Sequence, residues 1–204
     1  MPNSASPPVP APGRPRDEHL AGVVIDATLA VVGECGVAGL TTDAVAARAR
    51  VSKASIYRRW PSKQALLRAA AGSLVSELAL PDTGALHTDV QELVAAAVRM
   101  YRDGLPGRLF PALVSEMALD PDLARAIREG FLAERRRAVL VVLGRARDRG
   151  ELRQDLDDEL VLDLLAGVIY YRLLITGGAL DDELAERLTS ALLFGIATPT
   201  NEDA

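Results

Sequence analysis

The chain has 204 residues, a length that suits one large domain or a small module followed by a larger one. Hydrophobic residues make up 49% and aromatic residues 4%, which excludes a disordered chain and indicates a core of leucine, valine and alanine. A single cysteine excludes an intrachain disulfide bond, and the formal net charge of −5 argues at first against a nucleic-acid partner.

The first 15 residues are rich in proline, and we expect them to form a disordered arm. This arm lacks the apolar segment of a secretory signal peptide, and no uninterrupted apolar run reaches the roughly 18 residues of a membrane helix. We therefore expect a cytoplasmic protein with no membrane partner. Arg14 and Arg16, just before the first helix, either enter a DNA minor groove or stay exposed to solvent.

Three helices are predicted next, over residues 17–34, 43–49 and 53–60. Thr41 and Thr42 precede the second helix and Ser52 precedes the third, where a hydroxyl oxygen accepts a hydrogen bond from a free backbone N–H group. Pro61 ends the third helix, because proline cannot continue the helical hydrogen bonding. Helices joined by such tight, capped turns are typical of a helix-turn-helix unit.

Longer helices follow, and the fold class is predicted to be all-α. Glycine and proline separate the segments, and no stretch alternates with the period of two that a strand requires. We predict these helices over residues 63–79, 88–103, 106–118, 121–149, 156–176 and 180–196. We divide the chain into the arm (1–15), a helix-turn-helix DNA-binding domain (16–76), a helical regulatory and dimerisation domain (77–198) and a disordered tail (199–204).

Positive charge is concentrated in the helix-turn-helix segment. Between Val37 and Arg68 there are seven lysines and arginines but one acid, Asp43, so this segment carries +6 in a chain whose total is −5. A basic segment on an acidic body favours one face for an anionic polymer. The alternative is an ordinary charged surface in contact with solvent.

The segment LTTDAVAARARVSKASIYRRWPSKQALL, from Leu40 to Leu67, resembles the DNA-binding module of TetR-family repressors. The resemblance covers about residues 16–70 without a gap, and it implies a dimeric DNA-binding transcriptional regulator, usually a repressor. Its matching positions include Gly36, Thr41-Thr42, Val45-Ala46, Val51-Ser52-Lys53, Ile56-Tyr57, Trp60 and Ser62-Lys63. Arg50 stands where the family usually has glycine, so we expect an altered or strained turn with an added positive charge.

The DNA contacts are predicted from this resemblance together with the chemistry by which side chains recognise bases and phosphates. Lysine and arginine donate to guanine and the Ala54 methyl group contacts thymine, so residues 53–58 are expected to set the sequence preference. Thr42 and Lys63 resemble the family's phosphate-contacting positions, where helix N-termini assist. The predicted DNA-binding residues are Thr41, Thr42, Lys53, Ala54, Ser55, Tyr57, Arg58 and Lys63.

Residues beside these predicted contacts are expected to have structural roles. Ile56 and Trp60 are expected in the module core, Arg48 and Arg68 in solvent or surface ion pairs, and Arg59 in either setting. Cys35 is expected to be a small buried hydrophobic residue.

The last two long helices are apolar on more than one side. Their sequence resembles the end of a TetR C-terminal domain, and a surface helix needs only one apolar stripe. We therefore expect a homodimer formed through these two helices, which also lets two DNA-binding modules occupy two half-sites of a palindrome in double-stranded DNA. The alternative is a monomeric core.

An effector pocket is expected among the middle helices, with ordinary core packing as the alternative for each residue. Arg99, Arg102 or Arg172 is a possible partner for an anionic group, and the composition favours a mostly apolar small molecule. The candidate lining residues are Tyr101, Phe110, Leu113, Met117, Phe131, Tyr170 and Tyr171.

The sequence lacks the common motifs of a catalytic site. His19 and His87 lack metal-ligand spacing, and no glycine-rich phosphate loop or nucleophile elbow occurs. The acids at 155–159 are interpreted as a helix start. We predict no catalytic residue, metal or cofactor.

The predicted function is that of a sequence-specific DNA-binding transcriptional regulator, a repressor that a small, mostly apolar effector releases from a palindromic operator. The alternative is a DNA-binding regulator without a small-molecule ligand, controlled by a protein partner or by its abundance.

Overall fold

The computed structural model describes residues 14–74 and 80–195, with side chains from residue 18 onward. Several predictions lie outside the described residues: the arm before residue 14, the side chains of Arg14 and Arg16, the boundary at residues 76 and 77, and the C-terminal tail.

Within the described ranges the regular structure is helical, which confirms the predicted all-α fold. Threonine, serine or aspartate caps six of these helices by accepting backbone hydrogen bonds at the helix start. The helices are α1 (Arg14–Gly39), α2 (Thr42–Ala49), α3 (Lys53–Arg59), α4 (Lys63–Gly72), α5 (Leu86–Asp103), α6 (Leu105–Met117), α7 (Pro121–Ile127), α8 (Ala133–Asp148), α9 (Asp158–Tyr171) and α10 (Asp182–Phe194).

The first helix is kinked at Gly36, whose φ of 68° lies in the left-handed region that favours glycine. Beyond the kink the chain turns inward, and Val37 and Leu40 enter the core. Cys35 is exposed, so the prediction that it is buried was wrong. Cys35 lies beside Glu34 on the exposed side of α1, just before the kink, and Val37 and Leu40 after the kink fill the core instead.

Two predicted helices are interrupted by π-helical turns. The predicted helix 121–149 consists of α7 and α8 joined by a π-helical turn, Arg128–Leu132, and a second π-helical turn, Arg172–Thr176, follows α9. A π-helical turn accommodates an extra residue, so it changes which face the following side chains present. The helix predicted over 63–79 ends at Gly72.

The N-terminal helices pack directly onto the C-terminal ones. Helix α1 contacts α2 and α4 within the module and α6 beyond it, while α4 packs against α7. The segment Glu18–Gly39 has the length and hydropathy of a membrane span. Its residues Val24, Val31 and Val32 lie in the protein core, so we interpret it as a core helix.

A buried acid, Asp89, anchors the start of α5. It accepts hydrogen bonds from the backbone N–H and the hydroxyl of Thr83 and from Arg149 at the end of α8. Burial raises the pKa of Asp89, but these hydrogen bonds and the charge of Arg149 outweigh burial and hold the pKa below its ordinary value. The start of α5 is thereby joined to the end of α8, two helices that also enclose a cavity described below.

Candidate nucleic-acid interface and cavity

Hydroxyl side chains cap the N-termini of α2, α3 and α4. Thr41 Oγ1 accepts from the N–H of Ala44 at 3.1 Å, and Ser52 Oγ accepts from the N–H of Ser55 at 3.2 Å. Ser62 caps α4 in the same way. Each cap satisfies one N–H group and leaves others of the first turn available to a phosphate.

The turn between α2 and α3 has the backbone that glycine usually supplies. Arg50 has φ 55° and ψ 42°, and it is the one non-glycine residue with positive φ among those described. The N–H of Val51 donates to the carbonyl of Ala46 at 3.1 Å, which closes the end of α2. The turn therefore keeps its geometry and carries a strained arginine.

Helix α3 has a buried side and an exposed side. Ile56 is buried under the exposed face, and Trp60, just after the helix, is buried as well; both lie in the module core, as expected. The opposite side presents a surface that we call the outer face of α3, formed by Lys53, Ala54, Tyr57 and Arg58. These positions share one face because a helix repeats about every 3.6 residues.

Polar contacts hold the outer face of α3 in place. Lys53 forms an ion pair with Asp43 of α2, and the hydrogen bond and charge of Asp43 raise the pKa of Lys53. Arg58 donates to Ser55 Oγ at 3.1 Å, and this oxygen lies 2.9 Å from the hydroxyl of Ser52. Lys53 and Arg58 are thus positioned by neighbours within the module, although both side chains are exposed.

Of the other predicted DNA-binding residues, Thr41 is exposed, and the predicted phosphate contacts Thr42 and Lys63 are half-buried at the starts of α2 and α4. The ion pair of Lys53 with Asp43 places the outer face of α3 beside the first turn of α2. Arg48 forms a two-point hydrogen bond with Glu34, in agreement with its expected surface ion pair.

The second predicted ion pair, at Arg68, joins α4 to the C-terminal helices. Its guanidinium donates to both carboxylate oxygens of Asp120, at 2.9 and 3.1 Å, and also contacts Asp122 at 3.2 Å. Burial raises the pKa of Asp120, but the N–H of Leu123 and the Arg68 guanidinium outweigh burial and lower it. A two-point arginine–carboxylate contact restricts the orientation of α4 relative to α7.

A cavity of about 90 Å³ lies between α5, α8 and α9. Most of its wall is apolar, including Leu93, Val94, Val139, Leu162, Leu165 and Ile169. Its polar groups are the hydroxyls of Tyr101 and Tyr170, which lie 2.9 Å apart, and the guanidinium of Arg135.

Two of the seven predicted effector-binding residues line this cavity. Tyr101 and Tyr170 line the cavity as predicted, but Tyr171 is 59% exposed on the other side of α9. The remaining predicted residues pack in or against the core without lining the cavity: Phe110, Leu113, Met117 and Phe131. Phe110 stacks on Tyr170 and Phe131 meets Tyr101 edge-on, so these rings support the cavity wall from behind.

Arg135 lines this cavity, whereas the three arginines predicted as anion partners do not. Arg99 is exposed, Arg102 pairs with acids outside the cavity, and Arg172 donates to a backbone carbonyl. The spacing of the sequence indicates that Arg135 faces the core, because it lies four residues after the buried Phe131 and three before the buried Ala138. Its position within a run of three arginines masked that spacing.

The acids at 155–159 do mark a helix start. Asp157 Oδ1 accepts hydrogen bonds from the N–H groups of Glu159 and Leu160, as an N-cap of α9. Asp158 pairs with Arg147 of α8.

Sequence models of two protein families match the chain one after the other. The model described as bacterial regulatory proteins of the tetR family matches residues 24–70, and the model described as a tetracyclin repressor-like C-terminal domain matches residues 80–192. The first match contains α2, α3 and the intervening turn, and the second contains the cavity.

Similar proteins match over nearly the whole chain. The HTH-type transcriptional regulator YdeS of Bacillus subtilis is 36% identical over 194 residues, which are 93% of this chain and 96% of that protein. The DNA-binding transcriptional repressor TetR of Mycobacteroides abscessus is 32% identical and covers 90% of this chain and 97% of its own length. The crystal structure of the TetR family transcription regulator SCO0332 has a TM-score of 0.66 at 33% identity, covering 88% of this chain and all of that one.

Proposed function

This chain belongs to the TetR family of bacterial transcriptional regulators, and we propose that it represses transcription as a homodimer on a palindromic operator and is released by a small, mostly apolar effector. The observation that carries the proposal is the outer face of α3, whose Lys53 pairs with Asp43 in the first turn of the capped helix α2. We assign residues 16–76 to DNA binding and 77–198 to regulation and dimerisation.

We assign base contacts to the outer face of α3, together with Ser55. Lys53 and Arg58 offer donors for guanine O6 and N7, and the Ala54 methyl group offers an apolar contact for thymine. The hydroxyl of Tyr57 reaches a backbone phosphate in this arrangement. Binding also requires Lys53 to exchange its ion pair with Asp43 for a contact with DNA.

We assign phosphate contacts to Thr41, Thr42 and Lys63. These residues stand at the N-termini of α2 and α4, where backbone N–H groups and the positive end of the helix dipole favour an anion. Phosphate contacts fix the position of the protein on the duplex without reading its sequence.

The proposed dimer uses an exposed apolar stripe on α9 and the turn after it. We call the outer stripe of α9 the set Leu160, Leu164, Tyr171 and Ile175, of which each member is about half or more exposed in the single chain. Leu165 and Ile169, on the opposite side, are buried within the protomer. An apolar face of this kind supports pairing with a second copy of the chain, and Phe194 of α10 adds exposed apolar surface.

The proposed effector enters the cavity between α5, α8 and α9. At about 90 Å³ the cavity is smaller than one of roughly 150 Å³ that binds benzene, so a larger ligand must move these helices apart. Such a ligand prefers the widened state and shifts the population toward it. Helix α6 packs on α5 and α1, and α7 packs on α4, so a displaced C-terminal domain also moves the DNA-binding module.

Selection of bound fragments from genomic DNA tests the proposal, with wild type compared with Arg58→Ala, Lys63→Ala and the control Arg153→Ala. Arg153 is an exposed arginine paired with Asp155, far from the module in sequence. We expect wild type and the control to enrich one palindrome. Arg58→Ala should lose discrimination at one base position, by about 1–3 kcal/mol, whereas Lys63→Ala should weaken binding to all sequences and reduce the salt dependence.

An equal loss of DNA binding in all three variants would contradict the assignment of base contacts to the outer face of α3. If the palindrome is bound but no small molecule releases it, the effector part of the proposal is wrong and control by a protein partner or by abundance takes its place.

A further inference from the structure

We propose that the cavity between α5, α8 and α9 binds a small apolar carboxylic acid, with the carboxylate on the guanidinium of Arg135. This inference rests on the proposed effector function and specifies the chemical class of the effector. It is carried by the position of one arginine on a cavity wall whose other polar groups are the hydroxyls of Tyr101 and Tyr170.

Arg135 is held against the cavity by contacts that orient its guanidinium. Its Nη1 donates to the carbonyl of Phe131 at 3.1 Å, and its Nη2 lies 3.2 Å from the sulfur of Met100. The guanidinium carbon stands 3.7 Å from the centre of the Phe131 ring, a cation–π contact. These contacts bring a planar cation to the cavity wall in a fixed orientation.

A carboxylate suits this cation better than a neutral group does. Burial lowers the pKa of Arg135, but an arginine side chain keeps its charge at neutral pH. A thioether sulfur is a weak acceptor, so exchanging the contact with Met100 for a carboxylate oxygen yields a stronger, charge-assisted hydrogen bond. A cationic ligand would be repelled.

The tyrosine pair supplies a second donor for the same head group. Burial raises the pKa of Tyr101 and Tyr170, so both hydroxyls stay protonated at neutral pH. Their mutual hydrogen bond uses one of the two protons, and the other proton can be donated to a carboxylate oxygen. The polar lining of the cavity thus combines one cation with one hydroxyl donor.

The apolar wall and the volume of the cavity determine the chemistry and the size of the ligand tail. Side chains such as Leu93, Val139 and Ile169 offer no hydrogen bonds, so the tail must be apolar. The volume of about 90 Å³ limits the tail to about one aromatic ring or a short chain, with some widening of the cavity.

Isothermal titration calorimetry on the full chain tests this inference with three acids and their amides: benzoate, phenylacetate and hexanoate against benzamide, phenylacetamide and hexanamide. We expect at least one acid to bind about tenfold or more tightly than its amide at neutral pH. Arg135→Gln should remove that preference, and Arg135→Lys should retain part of it because it keeps the charge but loses the planar fork. The control Arg136→Gln changes the neighbouring arginine, which pairs with Glu159 outside the cavity, and should bind like wild type.

The inference is overturned if none of the six compounds binds, if amides bind as tightly as acids, or if folded Arg135→Gln keeps the preference; circular dichroism reports folding. A gel shift with the selected operator separates the two proposals. An acid that binds at Arg135 without releasing DNA contradicts the effector function and leaves the chemical class standing. Release by neutral compounds alone contradicts the chemical class and leaves the effector function standing.

Discussion

Arg50 shows how one residue can keep a turn that its side chain disfavours. An L-residue in the left-handed region costs roughly 1 kcal/mol or more, because its Cβ approaches the following carbonyl. The N–H of Arg50 still donates to the carbonyl of Ala47 at 3.4 Å, and the next N–H donates to Ala46. Hydrogen bonding and the packing of Val45 and Ile56 therefore maintain the conformation against the local penalty.

Replacing Arg50 by glycine should stabilise the protein. We expect Arg50→Gly to raise the free energy of unfolding by about 1 kcal/mol, since glycine adopts this backbone without steric cost. Urea denaturation measures the change, and Arg50→Ala is the control because it removes the same charge but keeps the Cβ. Equal effects of the two substitutions would mean that charge, rather than backbone strain, determines the stability at this position.

At the scale of elements, the junction of α5 and α6 depends on a close approach between two helices. Gly107, in the first turn of α6, faces the end of α5 so closely that a Cβ would overlap the backbone carbonyl of Tyr101. Tyr101 also lines the cavity, so the same contact positions part of the candidate effector site. Only a residue without a side chain allows these two backbones to meet.

Gly107→Ala should lower the free energy of unfolding by about 2–3 kcal/mol, because backbone atoms must shift to admit the methyl group. Gly144→Ala is a matched control within α8, where an added Cβ meets no other atom within 4 Å. It should stabilise the protein by up to about 1 kcal/mol through helix propensity. Thermal and urea unfolding of both variants checks the prediction, which fails if Gly107→Ala is as stable as wild type.

At the scale of the whole molecule, dimerisation determines whether two α3 helices can occupy a palindrome. Helix α9 contributes one face to the protomer core and leaves the outer stripe of α9 exposed. Leu160 and Leu164 are one turn apart, as are Tyr171 and Ile175, and the exposed Gly167 lies between the two pairs.

Leu164→Glu should weaken the proposed dimer by tenfold or more, since a twofold axis at the outer stripe of α9 would place a carboxylate in the interface from both chains. Sedimentation velocity measures dimerisation, and operator affinity should fall with it. Leu119→Glu is the control: this leucine is 80% exposed but lies between α6 and α7, away from the outer stripe of α9. A Leu164→Glu protein that remains dimeric would exclude the outer stripe of α9 as the interface.

The sequence by itself determined the all-α fold, the caps at Thr41, Ser52 and Ser62, and the inward orientation of Ile56. These features depend on spacing within a few residues, which helix periodicity and capping chemistry predict directly. The predicted bounds of most helices differ from the observed bounds by only a few residues, for the same reason.

Only the tertiary structure decided which side chains meet across helices. It moved Tyr171 to an outer surface, exposed Cys35 beside the kink at Gly36, and brought Arg135 rather than Arg99, Arg102 or Arg172 to the cavity. Each outcome depends on which neighbouring element covers a given face of a helix. Arg135 also comes directly after the π-helical turn Arg128–Leu132, which changes the face presented by the residues of α8. Periodicity identifies an apolar stripe, but it does not specify what packs against that stripe.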